Sequence, residues 1–185
     1  MPDRAAQYSA HCQSPIGPLT LTSDGTALTG LWMEGQKYFM DGVFAPPEEN
    51  PGIPALMLAR RWLDDYFAGK KPEISLLPLA PLAGSPFRNA VWRMLCEIPY
   101  GEVSTYGDIA KKMAALTGKG RMSAQAVGGA VGRNPISIII PCHRVVGANG
   151  SLTGYSGGLD KKIRLLEFEG VDVSKLFRPK RGTAL

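Results

Sequence analysis

The chain has 185 residues, 44% hydrophobic and 20% charged, the balance of a soluble globular protein with one ordinary domain or two small ones. No run approaches the roughly 20 apolar residues of a membrane span, and MPDRAAQYSAHCQSP lacks the apolar core of a secretory signal, so a cytoplasmic protein with no membrane association is expected. The net charge of +5 is uneven: residues 1–84 carry six Lys/Arg against nine Asp/Glu, whereas residues 85–185 carry fifteen against seven. A polyanion would bind the second half, although a solubilising surface would have the same composition.

Three widely spaced cysteines (Cys12, Cys96 and Cys142), with no C-x-x-C pair, suit free thiols in a reducing compartment. The histidines number two, His11 and His143, too few for the usual zinc sets, and no metal is expected.

In chain order, YSAHCQSPIGPLTLTSDGTALTGLWM reads as two or three hairpin-connected strands separated by SPIG and SDG turns. His11 is expected on an exposed strand position, and Cys12 and Cys96 as small buried hydrophobes. FAPPEENPG reads as a loop. From Ile53 to Phe67, Leu56, Ala59, Leu63 and Phe67 recur at helical spacing, with Gly69 as the stop. KKPEISLLPLAPLAGS is too rich in proline for regular structure and reads as a linker with one short strand, which divides the chain into residues 1–84 and 85–185.

The second half opens with helix punctuation: Ser85 to cap, Pro86 at the first helical position, then Phe87, Val91, Met94, Leu95 and Ile98 as an apolar stripe ended by Pro99-Tyr100-Gly101. A second helix starts at Ser104 or Thr105 and runs through Ile109, Ala110 and Met113. After TGKGRM, Ser123 can cap a third helix through Val131. The pair resembles a helix-turn-helix with a long, basic connection. SAQAVGGAVG carries two interior glycines, each costing about 1 kcal/mol relative to alanine. That composition suits close packing on another helix, or a slim helix entering a DNA groove. The expected class is therefore α/β (α+β): a small antiparallel sheet with a helix, then a mostly helical domain holding a winged-helix-like helix-turn-helix.

The strongest chemical signal is NPISIIIPCHRVVGANGSLTGYSGG. ISIII suits a buried strand that stops at Pro141, leaving Cys142, His143 and Arg144 where the chain leaves the core. A thiol beside an imidazole and a guanidinium is expected to favour thiolate, the species that attacks a saturated carbon. A buried carboxylate accepting from the imidazole would complete a Cys-His-acid relay.

PCHRVV, preceded by NP and followed by YSGG and a helix ending in E-G, resembles the active-site signature of the O6-alkylguanine-DNA alkyltransferases. The resemblance is weak over the N-terminal strands, visible in RRWLDDYFAG and strong from SPFRNAVWRML to LLEFEG. It implies repair of DNA by irreversible transfer of an alkyl group from O6-alkylguanine to Cys142, one turnover per molecule, without a cofactor.

By that resemblance, His143 removes the thiol proton through a bound water and Glu169 orients His143. Asn134 is a hinge between the recognition helix and an active-site strand. Tyr106 helps rotate the target nucleotide and gives a proton to the departing guanine. Tyr155, Ser156 and Gly157 close over the alkylguanine, with Pro141 and Val145 also against the substrate, and Arg144 is structural. Ser123, Ala124, Gln125, Ala126 and Gly128, with Arg121 and Arg133, would meet the minor groove of double-stranded DNA, and the protein would act as a monomer.

One departure stands out. The family usually has an arginine before AVGGA to fill the space of the extruded base, and this chain has Gln125. A cysteine hydrolase using Cys142, His143 and Glu169 is a competing reading, but it leaves the basic half and the Gly/Ala-rich helix without a purpose. The presence of Cys142 separates the chain from alkyltransferase-like proteins, which lack the acceptor cysteine.

Overall fold

Two turns build the first sheet in the computed structural model, which describes residues 7–179. Ser14 Oγ donates to the Gly17 carbonyl at 2.7 Å, and Gly17 (φ 109°) closes the link from β1 (Tyr8–Cys12) to β2 (Leu19–Ser23). Asp24 Oδ1 accepts from the Thr26 and Ala27 amides at 2.9 and 2.8 Å, turning the chain into β3 (Leu28–Met33). Both neighbouring pairs are antiparallel, as their turns require. His11 lies exposed on β1, and Cys12 and Cys96 are half-buried rather than buried.

A fourth strand, β4 (Glu48–Glu49), runs parallel to β1 and gives the order β3-β2-β1-β4. It lies inside the segment expected to be a loop. Its residues carry no strand preference; the pairing rests on backbone bonds, Glu48 N to the Gln7 carbonyl at 2.8 Å and Asn50 N to that of Ser9 at 2.9 Å.

Helix α1 (Pro54–Phe67) starts on a proline and buries Leu56, Ala59 and Leu63 as its spacing predicts, with Trp62 and Tyr66 beside them, against β1, β2 and β3. Phe67 is only half-buried. Beyond Gly69 (φ 75°) the proline-rich segment holds a 3₁₀ turn at Ile74–Leu76 and a single bridge from Leu79 to Leu28, in place of the expected short strand.

Among the described residues, those up to Ala83, together with Pro135–Ser137, form one compact unit; Gly84–Asn134 and those from Ile138 on form the other. Pro135–Ser137 joins the first unit through backbone bonds to Leu31, which donates to the Pro135 carbonyl at 2.8 Å and accepts from Ser137 N at 2.9 Å.

In the second unit the cap residues act as their chemistry predicts. Ser85 Oγ accepts from Arg88 N at the start of α2 (Pro86–Cys96), Thr105 Oγ1 from Asp108 N before α3 (Tyr106–Thr117), and Ser123 Oγ from Gln125 N and Ala126 N before α4 (Ala124–Gly132). Gly118 ends α3 in the left-handed conformation (φ 64°). These helices pack through Val91, Trp92, Leu95, Ile109, Met113, Val127 and Val131, all buried, and Trp92 Nε1 donates to the Ala130 carbonyl at 2.9 Å. A second cluster of Val146, Leu152 and Leu166 anchors α5 (Leu159–Phe168), and β5 (Ser104–Thr105) pairs parallel with β6 (Val145–Val146). No helix among the described residues is long and apolar enough to cross a membrane.

The expected ISIII strand is not formed. Ile136 makes one bridge, to Leu31, and the chain then turns back on itself with Ile138 at φ 70°, a left-handed conformation that costs a β-branched residue energy. An apolar run reports burial, and Ile138, Ile139 and Ile140 are indeed buried; it does not distinguish a strand from a buried turn.

Candidate active site and nucleic-acid-facing helix

The tight turn sets the cysteine. Pro141 (φ −82°, ψ 63°) is the centre of an inverse γ-turn in which Cys142 N donates to the Ile140 carbonyl at 2.8 Å. Cys142, His143 and Arg144 then make one 3₁₀ turn instead of leaving a strand end. Asn134, at the end of α4, locks this geometry: Nδ2 donates to the Ile140 carbonyl at 2.8 Å and to Cys142 Sγ at 3.1 Å. Asn134 thus bonds both the turn and the sulfur, and the segment that follows it is a turn where a strand was expected.

Cys142 is 2% exposed, and burial pushes its thiol above the ordinary cysteine value. The Asn134 hydrogen bond and the Lys162 charge pull the other way without overcoming burial. The expected resting thiolate is therefore replaced by a neutral thiol. His143 is fully buried, and burial also lowers its basicity, opposed by Glu169 and reinforced by the charges of Arg144 and Lys162. Both groups are neutral near pH 7.

The acid is where the relay needs it. Glu169 Oε1 lies 2.6 Å from His143 Nε2, and Arg144 grips the same carboxylate through Nε at 2.8 Å and Nη2 at 3.0 Å. Burial alone would raise Glu169, but His143 and Arg144 outweigh it and hold the carboxyl at about 2. An ionised carboxylate only accepts, so Nε2 carries the imidazole proton and Nδ1 keeps its lone pair. Nδ1 is buried with no hydrogen-bond partner, the arrangement of a base awaiting a proton. Arg144 is itself buried, with Nη1 donating to the Ile98 carbonyl at 2.6 Å.

Two side chains hold the segment at Thr153 and Gly154. Tyr106 Oη donates to the carbonyls of Thr153 and Gly154 at 3.2 and 3.0 Å, and burial raises its pKa. Lys162 Nζ donates to the carbonyls of Val145 at 2.6 Å and Thr153 at 2.9 Å. Tyr155 is buried near Cys142, its hydroxyl without a hydrogen-bond partner, and Ser156 and Gly157 are half-buried next to it in the chain. Pro141 and Val145 are buried in and after the 3₁₀ turn.

Lys162 was missed by the sequence reading. It is 0% exposed, and burial lowers its pKa to about 8. A usable signal existed: Lys162 shares the apolar face of α5 with Leu165 and Leu166, a spacing at which a lysine needs a reason.

The α3–α4 connection presents a second kind of surface. A groove of about 540 Å³ is lined by Lys111, Lys119, Arg121, Gly107, Gly120 and Ala124, among others. Ser123, Ala124, Gln125 and Ala126 are exposed on the first turn of α4, while Arg133 is half-buried at its far end, about 12 Å from Gln125 by helix rise. Gly128, expected on this face, is buried toward the helical core with Val127 and Val131. The exposed glycine is Gly129, and a Cβ added there would meet nothing within 4 Å.

A buried Cys-His-Glu set below a helix-turn-helix defines a class, and comparison with known proteins makes it specific. Residues 86–171 match the 6-O-methylguanine DNA methyltransferase, DNA binding domain, and residues 8–81 match the 6-O-methylguanine DNA methyltransferase, ribonuclease-like domain. The chain is 46% identical over 162 residues to the methylated-DNA–protein-cysteine methyltransferase of Mycobacterium leprae, covering 86% of this chain and 92% of the relative. It is 40% identical to that of Haemophilus influenzae, covering 90% and 88%. Among solved structures, Mycobacterium tuberculosis OGT in complex with DNA superposes with a TM-score of 0.76 at 42% identity, covering 91% of this chain and 94% of that one. The chain belongs to the 6-O-methylguanine DNA methyltransferase family.

Proposed function

We propose that the protein repairs DNA by moving an alkyl group from O6 of guanine to Cys142. The observation that carries this is the orientation of the buried relay, with Glu169 fixing the proton on Nε2 of His143 and leaving Nδ1 without a hydrogen-bond partner, one residue along the chain from the neutral thiol of Cys142. As the thiol proton passes to Nδ1, sulfur attacks the alkyl carbon. The S–C bond forms, the C–O6 bond breaks, and guanine leaves with the electron pair and takes a proton from the Tyr106 hydroxyl, which is restored from solvent. The imidazolium that forms lies against a carboxylate held ionised by the Arg144 guanidinium and the His143 hydrogen bond, so Glu169 stabilises the charge as it develops. A thioether is a poor leaving group, which makes the transfer irreversible and limits each molecule to one turnover.

Delivery of the base falls to the second surface. The methyltransferase domains matched over most of the chain and the DNA complex of the Mycobacterium tuberculosis relative support duplex DNA as the partner. The exposed small residues of α4 suit the minor groove, and a guanine must leave the stack to reach a thiol this buried. Gln125 fills the space it leaves, and Arg121 supplies a phosphate contact. The protein works as a monomer in the cytoplasm, where its free thiols stay reduced.

Mass spectrometry after incubation with a duplex containing O6-methylguanine tests the chemistry. The expected result is one methyl per molecule, on the Cys142 peptide, and none on a Cys142→Ala protein that still binds duplex. Methyl on Cys12 or Cys96, or on no cysteine, would overturn it.

A further inference from the structure

The turn that ends α2 contributes more than a helix stop. Arg144 Nη1 donates to the Ile98 carbonyl at 2.6 Å, and the Tyr100 ring lies 5.7 Å from the Arg144 guanidinium. Tyr100 Oη donates to the Phe168 carbonyl at 3.3 Å, next to Glu169 in the chain. Gly101 N donates to Glu169 Oε2 at 3.2 Å. Three residues of one turn, Ile98, Tyr100 and Gly101, thus bear on the Arg144–Glu169 pair.

Gly101 is the residue whose identity this geometry demands. Its φ of 80° lies where residues with a side chain are strained, and a Cβ there would come within 3.0 Å of the Glu169 carbonyl oxygen. Glu102 N donates to the Pro99 carbonyl at 3.1 Å and closes the turn around Gly101. The Gly101 amide is a backbone donor on the Glu169 carboxylate, alongside the side-chain donors of His143 and Arg144.

We infer that Gly101 is a positioning residue for alkyl transfer, holding Glu169 Oε2 so that Oε1 stays on His143 Nε2. Arg144 competes with His143 for this carboxylate, since its fork already spans both oxygens. The amide anchors Oε2 from the turn and prevents the carboxylate from swinging toward the guanidinium. At 2.6 Å the His143–Glu169 contact is near the short limit for such a bond, so displacement of the carboxylate weakens it. A weakened contact makes Nδ1 a poorer base for the Cys142 proton.

This inference rests on the transfer chemistry proposed above, and its test separates the two. One variant is Gly101→Ala. The other is a semisynthetic protein ligated at Cys96 with glycolate at position 101, which deletes the N–H and adds no side chain. Single-turnover methyl transfer is followed from pH 6.5 to 9.5 on the fraction of each protein that takes up methyl, so misfolded protein does not enter the rate.

Both variants are expected to be about tenfold slow near pH 7, with the deficit shrinking as pH rises and hydroxide takes over removal of the thiol proton. The His143 Nε2 proton, read by NMR without any substrate, should move upfield from its strongly deshielded position. A variant-to-parent rate ratio that is constant across pH, with that resonance unmoved, would overturn the positioning role. A parent protein that takes up no methyl while the resonance still moves would overturn the transfer reading alone.

Discussion

Lys162 is the residue whose chemistry the sequence concealed most. A buried ammonium beside a thiol favours the thiolate, and its own pKa of about 8 means that the charge disappears within the accessible range. Desolvation lowers Lys162 and the Cys142 charge raises it, so the two groups titrate as neighbours. The sign is unambiguous: Lys162 is charged below about pH 8 and assists departure of the thiol proton there, and above that pH the assistance fades. Above about pH 8 the transfer rate of the parent protein should climb less steeply than that of Lys162→Met, which should be slower at pH 7 and show no inflection there. A parent profile that rises smoothly through pH 9 would show that Lys162 acts only by holding the Val145 and Thr153 carbonyls.

At the scale of elements, what the sequence disclosed depended on whether local chemistry decided the outcome. Ser85-Pro86, Thr105 and Ser123 start helices where they should, because a cap needs nothing beyond its own first turn. ISIII failed as a strand because its one ladder bridge among the described residues is to Leu31, more than a hundred positions away, and because a left-handed isoleucine is invisible in composition. β4 was missed for the same reason: two glutamates pair only because the backbone of β1 is there. Cys142, His143, Glu169, Asn134 and Arg144 came from a motif, and the structure adds the hydrogen bonds that relate them. Gly101 was legible only as a terminator, since its partner Glu169 lies 68 residues on.

Helix α4 shows the same division. Gly128 serves internal packing, but Gly129 faces open space and weakens the helix for no internal gain. Gly129→Ala should therefore raise stability by about 1 kcal/mol in urea unfolding. The same change should slow transfer from duplex DNA by thickening the face that enters the groove, while leaving transfer from the free O6-methylguanine nucleoside unchanged. Gln125→Ala should show the duplex defect without the gain in stability. Equal rates on duplex for both variants and the parent would remove α4 from the interface.

For the whole molecule, the charge divide is the property that local motifs do not express. Residues 85–185 hold fifteen of the 21 basic residues, and three of them (Lys111, Lys119 and Arg121) line one groove at the α3–α4 connection. If those three meet phosphates, each contact releases counterion and adds about 0.9 to the slope of log affinity against log salt. Replacing all three by serine should flatten that slope by about 3, weaken duplex binding most at low salt, and leave unfolding unaffected, because none makes a buried contact. Transfer from the free nucleoside should keep its rate, since Cys142, His143 and Glu169 lie outside this groove. A slope unchanged within 0.5 of the parent's would place the phosphate contacts elsewhere on the basic half.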